Sequence, residues 1–193
     1  MDDLSDEFLA LVLDHDTNRS ILERLPALGV SQAWLVAGCL FGPVWNALSD
    51  QPCGANIRDY DVFYWDSDTS WEAEDAVIRR ADDLLADLGI VHQVRNQARV
   101  PLWFEQRFGR PWPATRRSAD SISRFVVSCT CVGVRSRGHE DVELCAPRGL
   151  HDLFSGILRP NPDSPTPHLF RAKCESYMRR WPWLTMVDDN HAG

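Results

Sequence analysis

The sequence predicts an α/β fold of the α+β kind: a mixed β-sheet flanked by helices, with a helical tail at the C-terminus. Three observations lead there. Short apolar runs of strand length alternate with longer stretches of helical periodicity. Two such runs flank the turn SRGHE as the arms of a hairpin would. With 193 residues, the chain is long enough for one domain with a substantial core. It is read as a single domain, 1–193, with its core over about 33–150, a helical extension over 1–30 and a helical segment over 150–185.

DEFLALVLDH and TNRSILERLPALG read as two short helices, the second capped by Asp16 or Thr17 and stopped at Gly29. AWLVA at 33–37 is a continuous apolar run, hence a buried strand, and Gly38 ends it. CLFGPVWNALSD continues as a helix that tolerates Pro43 in its first turn. DVFYWD is the next strand, and SWEAEDAVIRRADDLLADLG opens on a Ser70 cap with apolar residues at helical spacing. VHQVRNQARVPLWF reads as a strand entering an irregular turn at Pro101; a loop from Gly109 to Thr115 and the short helix SADSISRF follow. FVVSCTCVGVR and DVELCA place the hairpin strands at about 126–135 and 141–146. LHDLFSGI is a helical turn, RPNPDSPTP a loop, and HLFRAKCESYMRRW a closing helix ended by Pro182.

Composition narrows the function classes. No run of 18 apolar residues exists and the N-terminus MDDLSDEF is acidic, so neither a membrane span nor a signal peptide is expected and the protein is read as cytoplasmic. Six cysteines without a CxxC pair, and six histidines without a spaced cluster, argue for reduced thiols and against zinc. The net charge of −8 is uneven: residues 1–94 carry −13, residues 95–180 carry +7, and the last 13 carry −2. Nineteen of the 20 basic residues are Arg, whose planar fork matches phosphate oxygens. An acidic protein with one Arg-rich half suits a phosphorylated small molecule better than a nucleic acid, which needs a basic surface throughout.

The chemistry concentrates in RDYDVFYWD. Asp59 and Asp61 lie two apart at the start of a strand and so share one face, where like charges raise each other's pKa unless a cation separates them. A divalent cation with oxygen ligands, Mg²⁺ or Mn²⁺, resolves that repulsion; two solvated carboxylates at a strand end are the alternative. Gly38, between strand and helix, offers an anion the free amides of a helix N-terminus. Glu143 stands between apolar neighbours in VELC, either metal-bound or on the exposed face of the hairpin. Asn96, Gln97 and Arg99 in NQAR are either base, sugar and triphosphate contacts or a polar turn that caps its own backbone. Trp112, in the loop GRPWPA, is the tryptophan best placed by sequence to stack on a base.

Taken together, apolar-Gly, the DYDV pair and VELC resemble the nucleotidyltransferase fold of the DNA polymerase beta type. AGCLFGPVWNAL, RDYDVFYWDSDTSWEAEDAVIRRA, VRNQARVPLWFEQRFG, APRGLHDLF and RPNP further resemble, in order, blocks of the bacterial nucleotidyltransferase-like family once catalogued as domain of unknown function 925. The resemblance implies a Mg²⁺-dependent enzyme that moves a nucleoside monophosphate from a nucleoside triphosphate, with ATP expected, to an unknown hydroxyl or phosphate acceptor on a small molecule or protein. It implies that Asp61 bridges two metals, that Asp59 helps hold both, and that Glu143 holds the metal that activates the acceptor. Cys39 stands where the superfamily places a small Ser or Gly, which leaves phosphate binding there to backbone amides. Pro101 and Arg148 also depart from the family pattern. A catalytically inactive nucleotide-binding or antitoxin-like partner protein and a metal-dependent phosphohydrolase are the competing readings.

Overall fold

The computed structural model of the protein describes residues 3–138 and 141–187. Five strands form the central sheet: β1 (Trp34–Val36), β2 (Tyr60–Tyr64), β3 (His92–Asn96), β4 (Gly133–Gly138) and β5 (Asp141–Cys145). Their order is β3-β2-β1-β4-β5, and β2 and β3 run parallel while the other neighbours are antiparallel, so the sheet is mixed. A small parallel pair, β6 (Ile157–Leu158) and β7 (Thr185–Met186), ties down the C-terminal segment. There the ring of Trp183 lies where a side chain on Gly156 (φ +67°) would stand: a Cβ would come within 2.2 Å of it.

Side chains alternate across the sheet, and its two faces differ. Leu35, Val62, Tyr64, Val94 and Val134 point into the main core. That face is covered by α1 (Asp3–Asp14), α2 (Asp16–Arg24), α3 (Gly38–Ala47), α4 (Trp71–Leu85) and, further along, α8 (Phe170–Met178). The opposite face has only a small cluster, Trp34, Val36 and Ile122, the last supplied by α6 (Ser118–Ile122). Ile122 seats closely because β4 presents Gly133 beneath it; a Cβ there would meet Ile122 Cδ1 at 2.6 Å. Over β2 and β3 this second face stays open.

Several expectations change on inspection of the hydrogen bonding. Residues 126–132 are not strand, because the hydroxyls of Ser128 and Thr130 donate to Pro160 and Val127 carbonyls and hold a 3₁₀ turn over Ser128–Thr130 instead. The irregular turn expected at Pro101 is the first turn of α5 (Val100–Phe108), where a missing N–H costs nothing. His15, whose side chain makes no capping bond and instead meets the Tyr60 hydroxyl at 2.9 Å, precedes α2 in place of Asp16 or Thr17. Pro43 lies inside α3, past its first turn, and the Cys39 carbonyl it leaves unpaired accepts from the buried Asn18 side chain at 2.7 Å. The six cysteines are free. No described helix is long and apolar enough to cross a membrane. His139, Glu140 and His191 lie outside the described residues, with them the end of the predicted hairpin turn.

Candidate active site

Asp61 pairs with Val36 across β1, so its carboxylate shares the open face with Trp34, Val36 and Phe63. Asp59 immediately precedes β2 and stays close enough for its charge to act on Asp61. Burial, then the charge of Asp59, pushes the Asp61 carboxyl up to about 6, against the pull of Lys173 and Arg95. Neither aspartate forms an ion pair among the described residues. Asp61 is thus a half-buried anion that the protein compensates only in part, through the charges of Lys173 and Arg95 and without an ion pair.

It faces a cavity of about 240 Å³ whose wall also includes Ala37, Arg124 and Lys173, the single lysine of the chain. Ala37 is the residue before α3, and it holds φ 67°, ψ −142°, a conformation close to the region reserved for glycine. The strain sits at the turn into α3, beside the cavity that Ala37 lines, where the first amides of the helix have no intrahelical acceptor. Gly38 itself has no positive φ, and a Cβ on it would make only an ordinary contact with Phe41 at 3.9 Å. The Cys39 thiol turns inward, 3.2 Å from the Val36 carbonyl, and burial followed by the charge of Asp61 pushes it well above its usual range. Gly38 and Cys39 can therefore serve an anion through backbone N–H groups, not through side chains.

Phe63, Trp112 and Phe125 separate this cavity from a larger one of about 510 Å³ over β3. Trp71, Trp103 and Phe104 form its apolar walls; Gln93, Arg95, Gln97, Arg99 and Arg107 supply its polar lining. The two cavities thus meet at these three side chains, and Asp61 lies on the smaller one.

Glu143 does not join the aspartates. It lies on β5, three strands from β2, which alone separates the backbones by about 14 Å. Arg135 Nε donates to it at 2.6 Å and Arg137 Nε at 3.0 Å, and against the upward push of burial these bonds hold its carboxyl below the ordinary range. The strand that does flank β2 is β3, where Gln93 pairs with Asp61 and Arg95 with Phe63. That face offers an amide and a guanidinium, no carboxylate. Among the described residues no group of three His, Cys, Asp or Glu side chains is arranged to hold a metal.

The NQAR turn divides. Asn96 is buried and its amide is fully engaged: the oxygen accepts from the Asp66 and Ala98 amides, and the nitrogen donates to the Asp66 and Asp68 carbonyls, all at 3.0–3.1 Å. It staples two loops together and has nothing left to read a base. Gln97 donates to the Arg95 carbonyl, and Arg99 lies 3.0 Å from the buried Glu74 and donates to the Thr69 carbonyl, while both still line the larger cavity. Arg148 pairs with Asp163 in the RPNPD loop, away from the cleft. Sequence reasoning missed Gln93, Arg95, Arg124 and Lys173. Alternation along HQVRN was a signal for the first two; nothing local ties Arg124 or Lys173 to Asp61, since the fold alone brings them there. Trp112, singled out from its loop, lies between the two cavities.

The profile of a family described as nucleotidyltransferase matches residues 23–186. A solved structure, determined by NMR and described as revealing a CCA-adding enzyme head domain, superposes with a TM-score of 0.76 over 95% of each chain at 25% identity. No curated protein matches the sequence.

Proposed function

The chain belongs to the nucleotidyltransferase family, and from that membership we propose that it moves a nucleoside monophosphate from a nucleoside triphosphate to a hydroxyl or phosphate acceptor on a small molecule or protein. The observation that carries this reading is Asp61, held by no ion pair and raised by burial, on a cavity shared with the approach to α3, Arg124 and Lys173. A helix N-terminus and two cations favour the β and γ phosphates and the pyrophosphate that leaves, while Asp61 stands beside the α phosphate.

The donor set fits magnesium. Asp59 and Asp61 offer only oxygens, and one of them is costly to ionise without a nearby cation; Mg²⁺ is ordinarily held by one or two carboxylates together with substrate phosphates. Bound there, the ion would neutralise charge on the phosphates being exchanged. The protein's own part is positional: backbone amides and Lys173 orient the triphosphate, and the aromatic wall of Phe63, Trp112 and Phe125 limits water beside the α phosphorus.

Calorimetry with each of the four nucleoside triphosphates, with and without Mg²⁺, tests the reading on wild type and Asp61→Asn. Binding of a nucleotide that needs both Mg²⁺ and Asp61 supports it; binding indifferent to Asp61 sinks it. One observation favours a second reading, nucleotide binding without transfer: β3 presents Gln93 and Arg95 beside Asp61 where a third carboxylate would complete a two-metal cluster. Pyrophosphate release decides between the two, and release of orthophosphate instead would mark a phosphohydrolase.

A further inference from the structure

We infer that the larger cavity holds the acceptor, and that the acceptor is a small phosphate monoester carrying a flat ring, joined to the nucleoside monophosphate through a new phosphoanhydride. The inference rests on the donor site proposed above. With pyrophosphate leaving toward α3, in-line displacement brings the acceptor from the other side of Asp61, which is the side of β3 and the larger cavity.

The chemistry of that cavity selects its occupant. Its only carboxylate, Glu74, is taken by Arg99, whereas Arg95 and Arg107 have no acidic partner among the described residues. Two guanidiniums outside any ion pair suit a phosphate dianion. Around them stand Trp71, 64% exposed, Trp103, 39% exposed, and Trp112, an amount of aromatic surface at a cavity mouth that suits stacking on a ring. A volume near 510 Å³ fits a small molecule.

The missing carboxylate on β3 fits the same occupant. An alcohol acceptor has to lose a proton to a base, and the open face beside Asp61 supplies Gln93 and Arg95 instead. A phosphate monoester is already ionised near pH 7. One of its oxygens forms the bond to the α phosphorus, the bond from that phosphorus to the bridging oxygen of the β phosphate breaks, and pyrophosphate departs with the electron pair. No proton has to be removed.

The test offers the full chain, with Mg²⁺ and the nucleotide that binds best, three probes: adenosine 5′-monophosphate, adenosine and ribose 5-phosphate. Pyrophosphate release is followed and the product is read by ³¹P NMR. The expected result is a phosphoanhydride with adenosine 5′-monophosphate and at least tenfold slower turnover with the other two. Arg107→Ala and Trp103→Ala should raise the KM for adenosine 5′-monophosphate at least tenfold and leave calorimetric binding of the Mg²⁺-nucleotide unchanged. Equal turnover with adenosine or ribose 5-phosphate, a phosphodiester product, or loss of donor binding in Arg107→Ala overturns the assignment. Donor binding that depends on Asp61 without turnover of adenosine 5′-monophosphate overturns this inference alone. Absence of Asp61-dependent donor binding overturns the transfer reading as well.

Discussion

Asp61 and Glu143 are both strand carboxylates on the open face of one sheet, and the protein treats them in opposite ways. Glu143 receives two guanidiniums, and its carboxyl is held below the ordinary range. Asp61 receives none, is pressed by burial and by Asp59, and is pushed up to about 6. A charge that the fold neutralises within itself has its role in the fold. One left half-buried without an ion-pair partner calls for something the chain does not contain, and the proposed function supplies it as the cation and phosphates of the donor.

The sharpest way to break this contrast is Asp61→Asn. Transfer should fall on the order of 10³-fold, equivalent to about 4 kcal/mol of lost transition-state stabilisation, measured as pyrophosphate release. Stability should move the other way. The folded-state value of about 6 lies above the ordinary 3.8. The carboxyl's contribution is therefore full below pH 3.8 and lost as pH rises through about 6. Asp61→Asn should accordingly melt higher than wild type at pH 7.5, with the gap closing toward pH 4. Adding Mg²⁺ and nucleotide should raise the melting temperature of wild type only. A variant that loses stability at pH 7.5 would place Asp61 with Glu143.

Asn96→Ala extends the contrast to a neutral group. Four hydrogen bonds disappear and two part-buried amides lose their acceptor, so unfolding in urea should show a loss of about 3 kcal/mol. Calorimetric affinity for the Mg²⁺-nucleotide should change less than about twofold at a temperature where the variant is folded. A tenfold weaker nucleotide would return Asn96 to the binding site.

These residues also mark how far the sequence could be read. Asp59 and Asp61 are two apart in one strand, so their shared face follows from local geometry, and the strand, turn and helix around Gly38 follow from punctuation and periodicity. The mixed sheet flanked by helices was legible for the same reason. Which strand lies beside β2 is not written locally. Glu143 was the expected third carboxylate, and the order β3-β2-β1-β4-β5 puts β3 beside β2 and leaves Glu143 three strands away. Asn96 looked like a ligand because an amide that caps its own loops has the same side chain as one that reads a base. Pro43 was acceptable in α3 through a contact from residue 18, which no window of sequence contains.

Ala37 probes the backbone of the same region with a smaller effect. Replacing it by Gly removes strain of roughly 1–3 kcal/mol and adds about 0.5–1 kcal/mol of chain entropy lost on folding. The net gain of about 1 kcal/mol corresponds to a rise of about 3 °C in melting temperature for a domain of this size. Turnover should fall by a few-fold, since a freer turn no longer fixes the first amides of α3 that the proposed function assigns to the phosphates. A lower melting temperature would mean that the turn is held by packing and carries no strain.

The smallest effect is expected at Glu143, and it decides the comparison from the other side. Glu143→Gln leaves Arg135 and Arg137 facing an amide, on a pair whose carboxylate side chain is 27% exposed; the cost should be about 1 kcal/mol at neutral pH. The lowered folded-state value means that this contribution is present above the ordinary 4.5 and is lost as pH falls through the lower folded value. The melting difference between wild type and variant should therefore be largest near pH 7 and shrink in acid, the reverse of the trend at Asp61. Pyrophosphate release should stay within about twofold of wild type, because a carboxylate about 14 Å of sheet away cannot share a cation with Asp61. A loss of transfer comparable to that of Asp61→Asn, without loss of stability, would require a path from β5 to the donor that this sheet order does not provide.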